Sequence, residues 1–271
     1  MEKPGLSMHI HPSAIVHPDA ELAEDVEVQA YSIIEAHAVI GAGSVIGPHC
    51  VIGGGARLGR NNRCYSGAQI GVSPQDLKHQ TERLGTTNIG DNNIFREFVT
   101  VSSSTVYAAD ADDSPKATEI GSHCLFMAYS HVAHDCKLGD GVIMANSAQL
   151  AGHVTVRDKV IIGGLTGVHQ FCVLGTMAFI GGMTRANKDC PPYMITEGIP
   201  ARCTGPNTVG LERNGLSKEA IADIRRMYKL LYRAGLNTSQ AVARIEADIP
   251  ESPERTTILD FIRNAQRGLT R

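Results

Sequence analysis

Every sixth residue from Ile10 to Ile70 is apolar, through eleven successive positions. The same phase returns at Ile89, Phe95 and Val101, and again without a break from Ile120 to Ala186. Only 42 % of the chain is apolar, so composition does not produce runs of this length. A fixed short period of this kind marks a stack of repeated units and excludes an ordinary mixed core.

The other positions of the hexad agree. Counting the periodic apolar residue as i, glycine recurs at i+1, for example at 41, 47, 53, 121 and 139, where a sharp bend is expected to need permissive backbone angles. Position i+4 is small or β-branched, and Cys50, Cys124, Cys136, Cys172 and Cys190 occupy it. Five of seven cysteines thus read as inward core fillers; the odd total and the absence of a C-x-x-C pair argue against a disulfide framework or a ribbon-type zinc site. The absence of Trp and an aromatic content of 5 % fit a core of small and β-branched side chains. A net charge of −3 with 20 % charged residues fits neither a disordered chain nor a generally basic nucleic-acid binder. No apolar run approaches the ~20 residues of a membrane span, and the opening MEKPGLSMHIHPSAIV has no signal-peptide core, so a cytoplasmic protein without an integral membrane segment is expected.

This pattern resembles the hexapeptide-repeat proteins. The resemblance implies a left-handed parallel β-helix of triangular cross-section, with three hexads in an 18-residue coil and coils stacked at about 4.8 Å. Handedness comes from the resemblance alone, since crossovers between parallel strands are normally right-handed. The phase jumps after Ile70 and Val101 predict protruding loops at about 72–88 and 102–119, the second holding an acidic stretch, Asp110 to Asp113, read as a solvated loop. The expected fold class is therefore mainly β, with a β-helix over 1–190 and a small α-helical domain over 191–271. Pro191, Pro192 and Pro200 are expected to end the repeat. Ser217 then caps a helix with Ile221, Ile224, Tyr228 and Leu231 on one face, closed by Gly235. A second helix starts near Thr238. A third has Ser252 as cap, Pro253 in its first turn and Ile258, Leu259, Phe261 and Ile262 as its buried stripe.

Residues 18 apart lie above one another in such a stack. Folded onto one cross-section, His131, His134, His153 and His169 project within a window of five positions, whereas the other seven histidines scatter. A scattered histidine in a repeat is an ordinary outward polar residue. A column of four beside Asp135 is a different object, because a carboxylate next to an imidazole fixes its tautomer and supports a general base near neutral pH. Gly152, before His153, offers a backbone N–H with room for close approach to an oxyanion. These are parts for acyl transfer to a hydroxyl.

PQDLKH at 74–79, HVAHDC at 131–136, NSAQLAGHV at 146–154, GVHQFC at 167–172 and the PPY turn at 191–193 resemble, more narrowly, the UDP-N-acetylglucosamine O-acyltransferases that begin lipid A biosynthesis. The similarity runs nearly end to end. It implies that His134 is the general base taking the proton from the glucosamine 3-hydroxyl as it attacks the thioester of a 3-hydroxyacyl-acyl carrier protein, with Asp135 orienting it and Gly152 donating to the oxyanion. Asp76, Lys78, His131, His153, His169 and Gln170 would bind the sugar nucleotide and acyl chain, with Asn207 and Arg213 as further nucleotide contacts. The family often has a second arginine after the latter, where this chain has Asn214. A chain-ruler position falls on Gly182, which without a side chain predicts a long acyl group, around fourteen carbons by family analogy. The resemblance also implies a homotrimer with clefts between adjacent prisms, a loop at Asp76 and Lys78 able to reach a neighbouring chain, and no cofactor beyond the phosphopantetheine of acyl carrier protein. Residues 202–233 carry a net charge of +4, and Arg225, Arg226 and Lys229 there suggest a docking patch for that acidic partner.

Three other readings compete. A zinc hydratase of carbonic-anhydrase type would use three histidines across a cleft, but His134 followed by Asp135 fits it poorly. The N-acyltransferase of the same pathway has an additional N-terminal domain, whereas this repeat begins near residue 10; a 3-amino acceptor in place of the 3-hydroxyl is the related question. A non-catalytic scaffold leaves the histidine column without a purpose.

Overall fold

A computed structural model describes residues 9–79, 83–106 and 116–271. The acidic stretch at 110–113 lies outside the described residues. Short strands, most of two residues, alternate with tight turns, and each pairs in parallel with the strand one coil away. Ile10 faces Val28, Val28 faces Ile46 and Ile46 faces Cys64, so the periodic apolar residues stack as continuous columns at an 18-residue rung. Three sheets of eleven, nine and eight strands among the described residues close the three sides of a left-handed parallel β-helix. Its interior is one column of buried side chains running from Val26 to Cys190, with Phe95 and Phe126 stacked at 4.9 Å midway. All seven cysteines are buried free thiols, and burial pushes Cys136 and Cys190 up to about 12.

The glycines at i+1, Gly71 with its positive φ of 71° apart, serve a different purpose from the one expected. Gly41, Gly47 and Gly121 do not adopt positive φ; a Cβ there would lie 2.6, 2.6 and 2.7 Å from the carbonyl oxygen of Gly59, Cys64 and Gly139 in the next coil. Glycine is required for the close approach of neighbouring coils. The left-handed conformation falls two residues later, at i+3, mostly on residues that are not glycine, among them His37, His49, His123, Asp135 and His153. Histidine, asparagine and aspartate tolerate that region better than most, which accounts for three of the scattered histidines.

The loops are also shorter than the phase jumps suggest. Strands Gln69–Val72 and Thr86–Ile89 bound the first, Thr100–Ser102 and Ala117–Ile120 the second. Cys64 pairs with Phe95, and Phe95 with Phe126, so two successive coils span 31 residues, each with an insertion of 13. At this level the inward i+4 slot holds Asn62 and Asn93, both fully buried. Asn62 Nδ2 donates to the Gly90 carbonyl and Asn93 Nδ2 to that of Gly121, while the Oδ1 atoms accept the N–H of Asn93 and Cys124. The two amides thus bridge the enlarged coils internally.

The ladder does not stop at Pro191 and Pro192. Met194–Glu197 adds one more parallel rung onto Phe179–Ile180, then pairs antiparallel with Arg202–Pro206. Four helices follow: α1 Thr208–Arg213, α2 Lys218–Tyr232, α3 Thr238–Asp248 and α4 Pro253–Asn264. The short α1 and the hairpin lack the periodicity that revealed the other three. Ser217 and Ser252 cap α2 and α4 as expected, and Asn237 with Gln240 forms a capping box on α3. Ile258, Leu259 and Ile262 are buried, but Phe261 is half-exposed. No helix among the described residues is long and apolar enough to cross a membrane.

Asn93→Ala strands the Gly121 carbonyl and the Cys124 N–H in the interior. It should cost on the order of 2–4 kcal/mol, read as a lowered urea midpoint with an unchanged slope.

Candidate active site

The 18-residue rung places Asp135, His153 and Phe171 above one another at one corner of the prism, and His134, Gly152 and Gln170 one step before them. Adjacent residues in an extended strand point to opposite faces. At this corner the left-handed Asp135 (φ 58°) turns the chain so that its carboxylate meets the preceding imidazole: His134 Nδ1 lies 2.8 Å from Asp135 Oδ2. A carboxylate only accepts, so the Nδ1 proton belongs to that bond and Nε2 keeps its lone pair. Such a nitrogen can receive a proton.

The second insertion and the strand that follows it hold Asp135 in place. Thr105 Oγ1 donates to Asp135 Oδ2 at 2.6 Å, and the Asp135 N–H donates to Thr118 Oγ1 at 2.9 Å. Burial disfavours the charged form, yet the hydrogen bonds from His134 and Thr105 outweigh it and hold the carboxyl below the usual carboxylate range. His153 packs edge-on against His134, with ring centres 5.2 Å apart, and stacks on Phe171 at 4.7 Å. His131 Nδ1 is 2.7 Å from Thr100 Oγ1. Burial pulls both His131 and His153 below the ordinary histidine range, and for His153 this prevails over the nearby Asp135 charge.

A Cβ on Gly152 would lie 2.5 Å from His134 Cε1, so only glycine lets the backbone pass beneath that ring. Among the described residues its N–H has no acceptor. Another corner differs in this respect: there the equivalent N–H groups of Arg60, Asp91, Ser122 and Asp140 are capped by Asp91, Ser122, Asp140 and Asp158 from the next coil. The histidine corner has no such ladder and leaves the Gly152 donor open to a ligand.

His131, His134, Gly152 and His169 line one cleft of roughly 470 Å³, together with Gln75, Ser102, Gln149 and Arg185. Asp76, on the first loop, places Oδ2 3.9 Å from His134 Nε2 of its own chain, and its Oδ1 accepts the Lys78 N–H; the Lys78 side chain is exposed. The loop therefore reaches the histidine of its own coil stack. Gln170 is exposed beside His169.

Other expected residues lie elsewhere in the chain. Asn207 caps α1 and donates to the Met177 carbonyl, at a different corner, and Arg213 is exposed at the end of that helix. Asn214 caps the C-terminus of α1, donating to the Gly210 carbonyl. Gly182 lies at the third corner, where a Cβ would come within 3.3 Å of the Gly164 carbonyl oxygen. Arg225 and Lys229 are exposed on α2, whereas Arg226 is tied to Asp223 and to the Asp248 carbonyl. A second cavity of roughly 260 Å³, between the last coils and α4, contains none of the histidines. Thr100, Thr105, Thr118, Gln75 and Arg185 carry no sequence signal of their own; the ladder strands bring Thr100 and Thr118 to the corner, and only the threading of the two insertions brings Gln75 and Thr105.

Residues 189–270 match the family described as Udp N-acetylglucosamine O-acyltransferase, domain 2, and 117–152 match the bacterial transferase hexapeptide, six repeats. An acyl-[acyl-carrier-protein]–UDP-N-acetylglucosamine O-acyltransferase of Anaeromyxobacter dehalogenans is 42 % identical over 201 residues, 74 % of this chain and 76 % of that protein. The chain belongs to this O-acyltransferase family. Its Halorhodospira halophila member is 44 % identical over 218 residues, 80 % of this chain and 82 % of the relative. The UDP-N-acetylglucosamine acyltransferase structure from Bacteroides fragilis superposes with a TM-score of 0.90 at 40 % identity, covering 96 % of this chain and 99 % of that one. Family membership places the histidine cleft on the fold of an acyltransferase.

The pH dependence of stability follows from the two depressed imidazoles. Unfolded histidines take up protons near pH 6.5, whereas His131 and His153 in the folded chain do so only lower. Stability is thus full above about pH 6.5 and is lost as pH falls through that value towards the folded ones. The melting temperature should decline over this window, and a His131→Asn, His153→Asn double variant should flatten the decline.

Proposed function

We propose that this chain transfers a (R)-3-hydroxyacyl group from acyl carrier protein to the 3-hydroxyl of UDP-N-acetylglucosamine, the first step of lipid A biosynthesis, in the cytoplasm. The observation that carries this reading is the His134–Asp135 pair beside an open Gly152 N–H, in a chain 42 % identical to relatives named for that activity. In the reaction, His134 Nε2 removes the proton from the sugar hydroxyl as its oxygen bonds to the thioester carbonyl carbon. The negative charge moves to the carbonyl oxygen, where the Gly152 N–H stabilises it. Collapse of this intermediate breaks the carbon–sulfur bond, and the imidazolium returns its proton to the departing phosphopantetheine thiolate. Asp135 keeps the ring in one tautomer and supports its transient charge. Asp76, Lys78, His131, His153, His169 and Gln170 bind the sugar nucleotide and acyl chain. No cofactor is needed beyond the prosthetic arm of the carrier.

The dispersal of the remaining residues over the two corners away from the histidines favours a homotrimer. Gly182 shares its corner with the exposed Tyr129, Leu165 and Met183, away from the histidines, and Asn207 and Arg213 belong to another. A threefold ring of prisms lays one copy's corner against the next copy's histidine cleft and closes without leaving an unpaired face. The acyl chain then runs past Gly182 and the nucleotide past Asn207 and Arg213, and the absent Cβ at 182 admits a long chain. Arg225 and Lys229, with Arg226 beside them, present a basic face to the acidic carrier protein.

Incubation with UDP-N-acetylglucosamine and 3-hydroxyacyl carrier proteins of graded length should yield the 3-O-acyl product by mass spectrometry, with the fourteen-carbon donor preferred. His134→Ala should lower turnover by at least about 10² while leaving the protein folded, as a cooperative thermal melt shows. The donor atoms of His134, Asp135 and His153 lie within 4.8 Å of one another, a set zinc can accept, so the same preparation is assayed for metal. Stoichiometric zinc with no acyl product would overturn the reading in favour of a hydratase. Separately, an Arg225→Glu, Lys229→Glu variant should raise KM for the carrier protein in a salt-dependent manner, and an unchanged KM removes the docking face.

A further inference from the structure

The last residues of the chain return to the prism beside the histidine cleft, and the fully buried Asp189 clamps them there. Its Oδ2 accepts the Arg267 N–H at 3.1 Å and its Oδ1 the Val173 N–H at 2.8 Å. Its own N–H donates to the Gly268 carbonyl and its carbonyl accepts the Thr270 N–H, both at 2.9 Å. This clamp fixes the backbone at position 267 whatever side chain stands there.

The Arg267 side chain extends to His169, which borders the cleft, and Nη2 lies 3.1 Å from Nδ1 of that ring. A guanidinium carries donors and no acceptor, so this contact is a hydrogen bond only when Nδ1 presents its lone pair. The Gln170 carbonyl oxygen lies 3.2 Å from the same nitrogen and, being an acceptor, favours a proton there. The two neighbours therefore demand opposite tautomers of one ring. Hydrogen bonds from a charged donor are roughly twice as strong as neutral ones, and an Nδ1–H would also face the guanidinium cation. Arg267 prevails.

We propose that Arg267 is a positioning residue: it sets the tautomer of His169 so that the ring proton sits on Nε2, the nitrogen left to the cleft, and is donated to an acceptor oxygen of the bound sugar nucleotide. The substrate half of this inference rests on the acyltransferase reading; the tautomer half does not. Without Arg267, the Gln170 carbonyl draws the proton to Nδ1 and Nε2 becomes an acceptor, which repels the oxygen it was to hold.

The test uses the full-length chain. Imidazole nitrogen NMR of the ligand-free protein, with His169 assigned from the spectrum of His169→Gln, should show the Nε2–H tautomer in the parent and Arg267→Lys, and Nδ1–H in Arg267→Ala. Since the backbone clamp survives each substitution, the thermal melts should coincide. Arg267→Ala should raise KM for UDP-N-acetylglucosamine roughly three- to tenfold with kcat unchanged, the loss of one neutral hydrogen bond made equally to substrate and transition state, and Arg267→Lys should largely restore it. An identical tautomer in parent and Arg267→Ala overturns the proposal outright. A switched tautomer with unchanged KM overturns the assignment of His169 as a substrate donor. Absence of any acyl product from the parent protein defeats the acyltransferase reading and leaves the NMR result to be judged separately.

Discussion

Parallel pairing of each two-residue strand with the strand one coil away is the interaction on which everything else in this protein depends. A strand of that length has almost no stability alone; it persists because the coils above and below satisfy its backbone groups and cover its single inward side chain. The pairing demands that successive coils approach closely at the turns. There the glycines at i+1 matter, since a Cβ at Gly41 or Gly121 would overlap a carbonyl of the next coil. The site inherits its geometry from the same constraint: Asp135 and His153 are neighbours only because they are one rung apart.

The corners concentrate backbone strain. Left-handed residues other than glycine cost roughly 1–2 kcal/mol each in principle, and this chain places Phe98, Tyr129, Leu165, Phe171 and Met183 in that conformation as well as its asparagines and histidines. The rungs on either side over-determine the fold, so the strain persists. At the histidine corner it has a chemical result. The turn at Asp135 folds a carboxylate back onto the preceding imidazole, which a straight strand could not do.

Much of the site was legible in the sequence because a repeat converts sequence separation into position. Subtracting coils brought His153 and His169 over His131–Asp135; His131, His134 and His169 border the cleft, while His153 packs behind His134. The same arithmetic was blind to anything outside the repeat. Thr105 and Asp76 reach the site from the two insertions, whose path no period describes, and Arg267 arrives from the far end of the chain. The role of glycine was misread for a related reason. A sequence shows that a side chain is missing, but not whether the backbone needs the conformational freedom or a neighbour needs the space. Likewise Asn62 and Asn93 interrupt the small-residue slot without announcing that they bridge the two enlarged coils.

By itself, the sequence determined the coil, its 18-residue rung, the helical C-terminal region and the column of imidazoles, because each is a periodic or motif-borne property that local chemistry imposes. Tertiary structure alone decided which carboxylate oxygen meets which imidazole nitrogen, which backbone N–H is left open at the cleft and which corners the remaining residues occupy. Those depend on left-handed corner angles and on long insertions folding back across the prism, and hydrogen-bond direction is set by atoms that only the folded chain brings within about 3 Å of one another.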